Sequence, residues 1–210
     1  MSSRQKKQAK KKGFVANVVE LVLTVAVAIG LALLIQALLV KPFRIPSRSM
    51  VPTLTVGQRI LVSRLSTSPG VGDVVVFHPP AGADPLEPEC GDPAQGSGHE
   101  QACDKPTPAE STQVFVKRVV GVPGDHLKII NGHVYRNGVE EHGSYIRPCD
   151  AGPAECTFPK EITVPPGHYY MMGDNRGESD DSRFWGPVPK KWLIGTAFFT
   201  YWPIDRIGIF

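Results

Sequence analysis

Two serines and one lysine carry the clearest chemical potential in the chain. Ser47 and Ser49 stand in Pro46-Ser47-Arg48-Ser49-Met50-Val51-Pro52-Thr53, and Lys117 stands in Val114-Phe115-Val116-Lys117-Arg118-Val119-Val120. A serine hydroxyl becomes a competent nucleophile when a base takes its proton. No histidine lies near Ser49 in sequence, although His126 and His168 remain available in space. Lysine serves as the base instead when burial disfavours its ammonium form. Strand alternation puts Lys117 on the face of Phe115 and Val119, and Arg118 on that of Val116 and Val120, so one of the two charges accompanies apolar neighbours. The plain alternatives are turn-forming serines between prolines and an edge strand whose two cations both snorkel to water. A third segment, residues 173–183, holds Asp174, Arg176, Glu178, Ser179, Asp180, Asp181 and Arg183. It reads as a solvated acidic loop or as the charged surround of a site. Calcium-loop order, with Gly sixth and Glu twelfth, is absent.

The elements that must position these groups read as β. Short Val- and Ile-rich runs cover 59–63, 73–77, 114–120, 126–130 and 133–136, with later runs at 168–172 and 197–202. Asn131-Gly132 between two such runs predicts a hairpin. No amphipathic helix is expected past residue 60. Residues 78–113, with seven prolines and four glycines, read as a long insertion, and 143–160 as a second loop. The expected fold is mostly β, barrel-like, made of folded antiparallel sheets of short strands.

The N-terminal region differs in kind. Arg4, Lys6, Lys7, Lys10, Lys11 and Lys12 precede Glu20, and from Phe14 to Val40 the chain is almost wholly apolar. A run of about 20 apolar residues spans a bilayer. A cleaved secretory signal would carry an apolar stretch of about 7–15 residues and a small-residue cleavage site; here the run is longer and ends in Lys41-Pro42-Phe43-Arg44. The reading is therefore a basic cytoplasmic tail over 1–13, a transmembrane anchor over 14–40, and an extracytoplasmic β domain over 41–210. Cys90, Cys103, Cys149 and Cys156 all follow the span. Outside the cytoplasm they are expected to pair as Cys90–Cys103 and Cys149–Cys156. A zinc site with His99 is the alternative. The net charge of +3, from 23 basic and 20 acidic residues in 210, gives no argument for nucleic acid.

Four segments together resemble bacterial type I signal peptidases: PSRSMVPTL (46–54), GDVVVF (72–77), KRVVGVPGD (117–125) and GDNRGESDDSRFWG (173–186), in the family's order, with Ala197 to Pro203 also similar. The insertion 78–113 lies outside the resemblance, and one span is present where some family members have two. The resemblance implies a membrane-bound serine endopeptidase that removes signal peptides after small residues, in the A-x-A pattern. It implies Ser49 as nucleophile and Lys117 as general base. Ser47 would join the Ser49 backbone N–H in the oxyanion hole, and Ser179 would orient the lysine amine. Met50, Arg118, Asp174, Asp181 and Arg183 would form the supporting surround. No cofactor or metal is expected. The expected partners are signal-peptide-bearing preproteins and the bilayer, with the chain acting as a monomer. Two other readings stand beside this one, a non-catalytic membrane-tethered binding module and a self-cleaving Ser-Lys protein.

Overall fold

The structure is a computed structural model that describes residues 3–65, 68–83, 89–147, 149 and 153–209. It divides into two compact units, Met1–Lys41 and Pro42–Phe210. The first unit is a helix, α1 (Ser3–Leu39), followed by the first two residues of a strand that continues into the second unit. The helix continues back through the basic run, so no break in secondary structure marks residue 13. Its stretch Asn17–Ile35, 19 residues of mean hydropathy 2.8, is long and apolar enough to cross a membrane. In hydrocarbon an element must satisfy its own backbone polar groups, which a helix does whatever the propensity of its Val and Ile residues. The helix stops shortly before Pro42, whose ring excludes a helical conformation from the residue before it.

The second unit is mostly β. Its strands are β1 (Val40–Arg44), β2 (Arg59–Ser63), β3 (Val74–Phe77), β4 (Phe115–Gly121), β5 (His126–Ile130), β6 (His133–Arg136), β7 (Val139–Glu140), β8 (Phe158–Thr163), β9 (His168–Met172), β10 (Val188–Pro189), β11 (Leu193–Trp202) and β12 (Gly208–Ile209). Among its described residues helix is confined to short turns such as α2 (Pro153–Cys156) and α3 (Ser182–Trp185). The larger antiparallel sheet runs β1-β2-β11-β3-β4-β9-β10, with β12 on β11, and the smaller runs β7-β6-β5-β8. Register shifts in β11 at Ala197/Phe199, and between β4 and β9 at Val119/Gly121, curl the larger sheet. The Asn131-Gly132 turn joins β5 to β6 with both residues at positive φ, 51° and 80°, as a tight hairpin requires.

Strand β4 lies inside the sheet, not at its edge. Lys117 stands opposite Val75 of β3, and Arg118 opposite Val74 of β3 and Met172 of β9. The sheet is packed on both faces. Val74 and Val76 of β3 join Met50, Leu54, Ile60 and Val62 in one cluster, while Val75 and Phe77 join Val119, Met171 and Trp185 in another. This two-sided burial explains why β3 reads as an unbroken apolar run. A third cluster, around Leu127, Ile129 and Phe158, seats the smaller sheet.

Two expectations need correction. Strand β8 begins at Phe158, inside the segment expected to be loop, because Phe158 and Ile162 reach the core while Pro159, Lys160 and Glu161 stay exposed. The snorkelling alternative for β4 also fails, since Lys117 and Arg118 are 4% and 8% exposed. Among its described residues the insertion 78–113 forms only isolated bridges, Pro80 with Glu110 and Gln101 with Lys160. It nevertheless buries Ala83, Ala102 and Cys103. Cys90 is bonded to Cys103 and Cys149 to Cys156, which leaves no thiolate for the zinc alternative.

Candidate active site

The turn carrying Ser49 is locked to the 173–183 loop by backbone contacts. The Asn175 N–H donates to the Ser49 carbonyl at 3.0 Å, and the Asn175 side chain donates to the Arg48 carbonyl at 3.2 Å. Within the turn, Val51 N–H bonds the Arg48 carbonyl and Leu54 N–H the Met50 carbonyl. Met50, 1% exposed, pins the turn to the core beneath it. Gly173 makes the close approach possible. A Cβ there would sit 2.2 Å from Ser179 Oγ and 2.5 Å from the Ser49 carbonyl oxygen.

Ser49, Ser47 and Lys117 line one cleft of about 500 Å³. Ile45, Met50, Val114 and Val116 give it apolar walls. Ser47 Oγ lies 3.3 Å from Ser49 Oγ. The Lys117 amine donates to Ser179 Oγ at 2.9 Å and sits 5.7 Å from the centre of the Phe115 ring. Its pKa falls from 10.5 to about 8. Burial is the main cause, with Arg183 adding to it; Asp181, Asp180 and Asp174 oppose the fall without cancelling it. A lysine so placed is neutral in a useful fraction near neutral pH, as a general base must be.

On the opposite face of β4, Arg118 meets Asp174 as a bidentate pair, Nε to Oδ1 at 2.8 Å and Nη2 to Oδ2 at 2.6 Å. Its Nη1 donates to the Gly72 carbonyl at 2.7 Å, and Tyr145 stacks 4.0 Å from its guanidinium carbon. Thr53 donates to Asp174, which ties the far end of the Ser49 turn to the same pair. Asp181 is fully buried and accepts from Arg183 Nε at 2.8 Å and from the Gly173 N–H at 3.1 Å. Burial would raise its pKa, but the Arg183 charge and hydrogen bonds outweigh burial and hold it below the usual carboxylate range. Arg183 also donates to the carbonyls of Arg176 and Ser179, fixing the loop that presents Ser179.

The histidines offered as alternative bases lie elsewhere. His126 contacts Thr163 and Glu161 on the smaller sheet, and His168 contacts the Pro166 carbonyl. Neither lines the cleft of Ser49.

Comparison with known proteins gives the family. The profile of the family described as "Signal peptidase, peptidase S26" matches residues 18–202. The chain is 37% identical over 185 residues to "Probable signal peptidase I-1" of Synechocystis sp., covering 87% of this chain and 81% of that protein. It is 34% identical over 193 residues to "Probable signal peptidase I-2" of the same organism, covering 90% and 76%. It is 33% identical over 188 residues to "Signal peptidase I" of Leptolyngbya laminosa, covering 88% and 80%. The chain belongs to the signal peptidase family, peptidase S26.

In this family member the structure brings together the residues that the resemblance implied for the site: Ser47, Ser49 and Lys117 in the cleft, Ser179 on the lysine amine, Met50 under the turn, and Arg118, Asp174, Asp181 and Arg183 around them, with His126 and His168 apart. Three contributors had been given no role of their own. Arg176, 1% exposed, donates to the Gly173 carbonyl at 2.9 Å and pairs with Glu141 at 2.9 Å, so it braces the loop against the smaller sheet. Asn175 and Thr53 hold the Ser49 turn. The signal for Arg176 was its place inside the dense polar segment. Nothing local in the sequence distinguishes it from a solvated arginine.

Proposed function

We propose that the chain is a membrane-bound serine endopeptidase that removes N-terminal signal peptides from exported preproteins, with Ser49 as nucleophile and Lys117 as general base. The observation that carries this reading is the Lys117 amine: buried, held by Ser179, lowered to about 8, and sharing an apolar cleft with Ser49. Neutral Lys117 takes the Ser49 hydroxyl proton as Oγ attacks the scissile carbonyl. The tetrahedral oxyanion is met by the Ser49 backbone N–H and the Ser47 hydroxyl; losing one such donor typically costs about 10²–10³ in rate. The lysine ammonium then protonates the departing amine, which frees the mature protein and leaves the signal peptide as an ester on Ser49. A water, deprotonated by Lys117, hydrolyses that ester. Ser179 takes the orienting place that a carboxylate holds in a Ser-His-Asp triad. Asp174, Asp181, Arg118 and Arg183 act through the framework and not on the substrate.

The names of the relatives supply the substrate class, and the cleft walls of Ile45, Met50, Val114 and Val116 suit the small residues of an A-x-A site. Residues 14–40 anchor the enzyme in the cell membrane, residues 1–13 stay in the cytoplasm with their basic charges, and residues 41–210 act outside, as a monomer without a cofactor. Disulfides in the outer unit fit an oxidising compartment. Ser49 follows Val40 by nine residues, so enzyme and membrane-tethered substrate share one surface and a raised effective concentration. The test is cleavage of a purified preprotein by the detergent-solubilised chain. Wild type releases the mature protein, and folded Ser49→Ala does not. A preprotein left intact by wild type, or cut equally well by Ser49→Ala, contradicts the reading.

A further inference from the structure

The framework around the cleft neutralises its charges one by one, with an exception. Asp174 is matched by Arg118, Asp181 by Arg183, and Glu178 by Arg48 at 3.3 Å. Asp180 has no such match. Both its carboxylate oxygens are buried, and neither has a hydrogen-bond partner among the described residues. The Trp185 indole N–H favours its ionised form, but from outside hydrogen-bond geometry. A buried carboxylate with no partner is costly, and its persistence calls for an explanation. Its position offers one. Asp180 lies between Ser179, which accepts the Lys117 hydrogen bond, and Asp181, and it lines the same cleft as Ser49 and Lys117.

We propose that Asp180 is a positioning residue that acts through Lys117, steadying the lysine ammonium beside Ser49 and setting the pH at which that amine becomes a free base. This rests on Lys117 being the base. The charged groups facing Lys117 are Asp181, Asp180, Arg183 and Asp174, and those facing Asp180 are Asp181, Lys117 and Arg183. Asp181 and Asp174 each pair with an arginine; Asp180 pairs with none, and of the two cations facing it Lys117 acts on it more strongly than Arg183. Burial, then Asp181, pushes the Asp180 pKa up to about 6, while Lys117 draws it back down. Above that pH its negative charge retains the proton on Lys117 and delays the free base. The same charge stabilises the ammonium formed when Lys117 takes the Ser49 proton, as a carboxylate stabilises an imidazolium in a triad. Removing it therefore has two opposite signatures, an earlier onset of activity with pH and a lower plateau.

The experiment records kcat/KM for preprotein cleavage against pH with the full-length wild type, Asp180→Asn, Asp180→Glu and Lys117→Ala. Asp180→Asn is expected to move the acidic limb down by about half a pH unit or more and to lower the plateau several-fold, with Asp180→Glu returning both toward wild type. A limb that stays in place, with Lys117→Ala inactive, overturns the role of Asp180 and leaves Lys117 as base. An active Lys117→Ala overturns both. Should the Asp180 variants not fold, a Ser49→Ala chain with ¹³C-labelled lysine supplies the answer from Asp180 itself. The Lys117 Cε resonance should then show a second, smaller inflection near the Asp180 pKa. A single inflection overturns the proposal.

Discussion

The two faces of β4 handle adjacent cations in opposite ways. Arg118 is buried against a full set of partners: both oxygens of Asp174, the Gly72 carbonyl and the Tyr145 ring. Burial disfavours its charge, but Asp174 more than restores it, and its pKa rises. Lys117, one residue away, is buried against apolar walls with a single hydroxyl, and its pKa falls to about 8. The sequence neighbours are alike in charge and in depth. What separates a cation whose charge is secured from one that gives up its proton more readily is the number of acceptors the fold supplies.

The largest effect is expected from removing the proposed base. Lys117→Met is expected to lower cleavage by about 10²–10⁴ or more, the usual contribution of a general base. It should also stabilise the protein. The drop in pKa from 10.5 to about 8 means that folding carries a penalty on the order of 3 kcal/mol while the lysine is charged in both states. Between those two values the unfolded chain binds more protons than the folded one, so wild-type stability should rise with pH across that window and the advantage of Lys117→Met should shrink. Denaturant unfolding at neutral and alkaline pH measures both. A variant less stable than wild type at neutral pH breaks the comparison on the lysine side.

The structural face breaks differently. Asp174→Asn leaves Arg118 buried without its counter-charge, and breaking a buried pair in this way costs about 3–5 kcal/mol. Denaturant unfolding should show that loss, with activity falling because Thr53 and the Ser49 turn are tied to the same carboxylate. A neutral result would mean that Arg118 is not held by Asp174. The smallest expected effect is at the seam between the faces. In Gly173→Ala the new methyl meets Ser179 Oγ and the Ser49 carbonyl, and such overpacking typically costs about 1–3 kcal/mol. Because both contacts belong to the site, kcat should fall by more than the stability loss alone accounts for. Wild-type kcat in a folded Gly173→Ala would show that the seam tolerates separation.

Strands with a strong local pattern were legible in the sequence. β2, β5, β6 and β9 begin and end where their Val-, Ile- and Tyr-containing runs do, and Asn131-Gly132 gives the β5–β6 turn. β8 was hidden because its exposed middle, Pro159 to Glu161, separates its two core residues, Phe158 and Ile162, which lie four positions apart. β7, β10 and β12 are two residues each and carry no periodicity at all. In the site, residue type and the family resemblance pointed to the serines and to Lys117. Alternation alone could not say that both Lys117 and Arg118 would be buried, because burial on each side of β4 depends on β3 and β9, which are distant in sequence. The same holds for Asp180 and Asp181. They are adjacent and chemically identical, and what tells them apart is that Arg183 and the Gly173 N–H reach Asp181 and not Asp180.

The measurement closest to the central claim is the pH dependence of preprotein cleavage by the wild-type chain beside its lysine and histidine variants. With Lys117 as base, kcat/KM rises with a midpoint near the lysine pKa of about 8, Lys117→Ala is inactive, and His126→Ala and His168→Ala keep most of their activity. A midpoint near ~6.5, the value of an ordinary histidine, together with a dead histidine variant or substantial turnover by Lys117→Ala, would contradict the account.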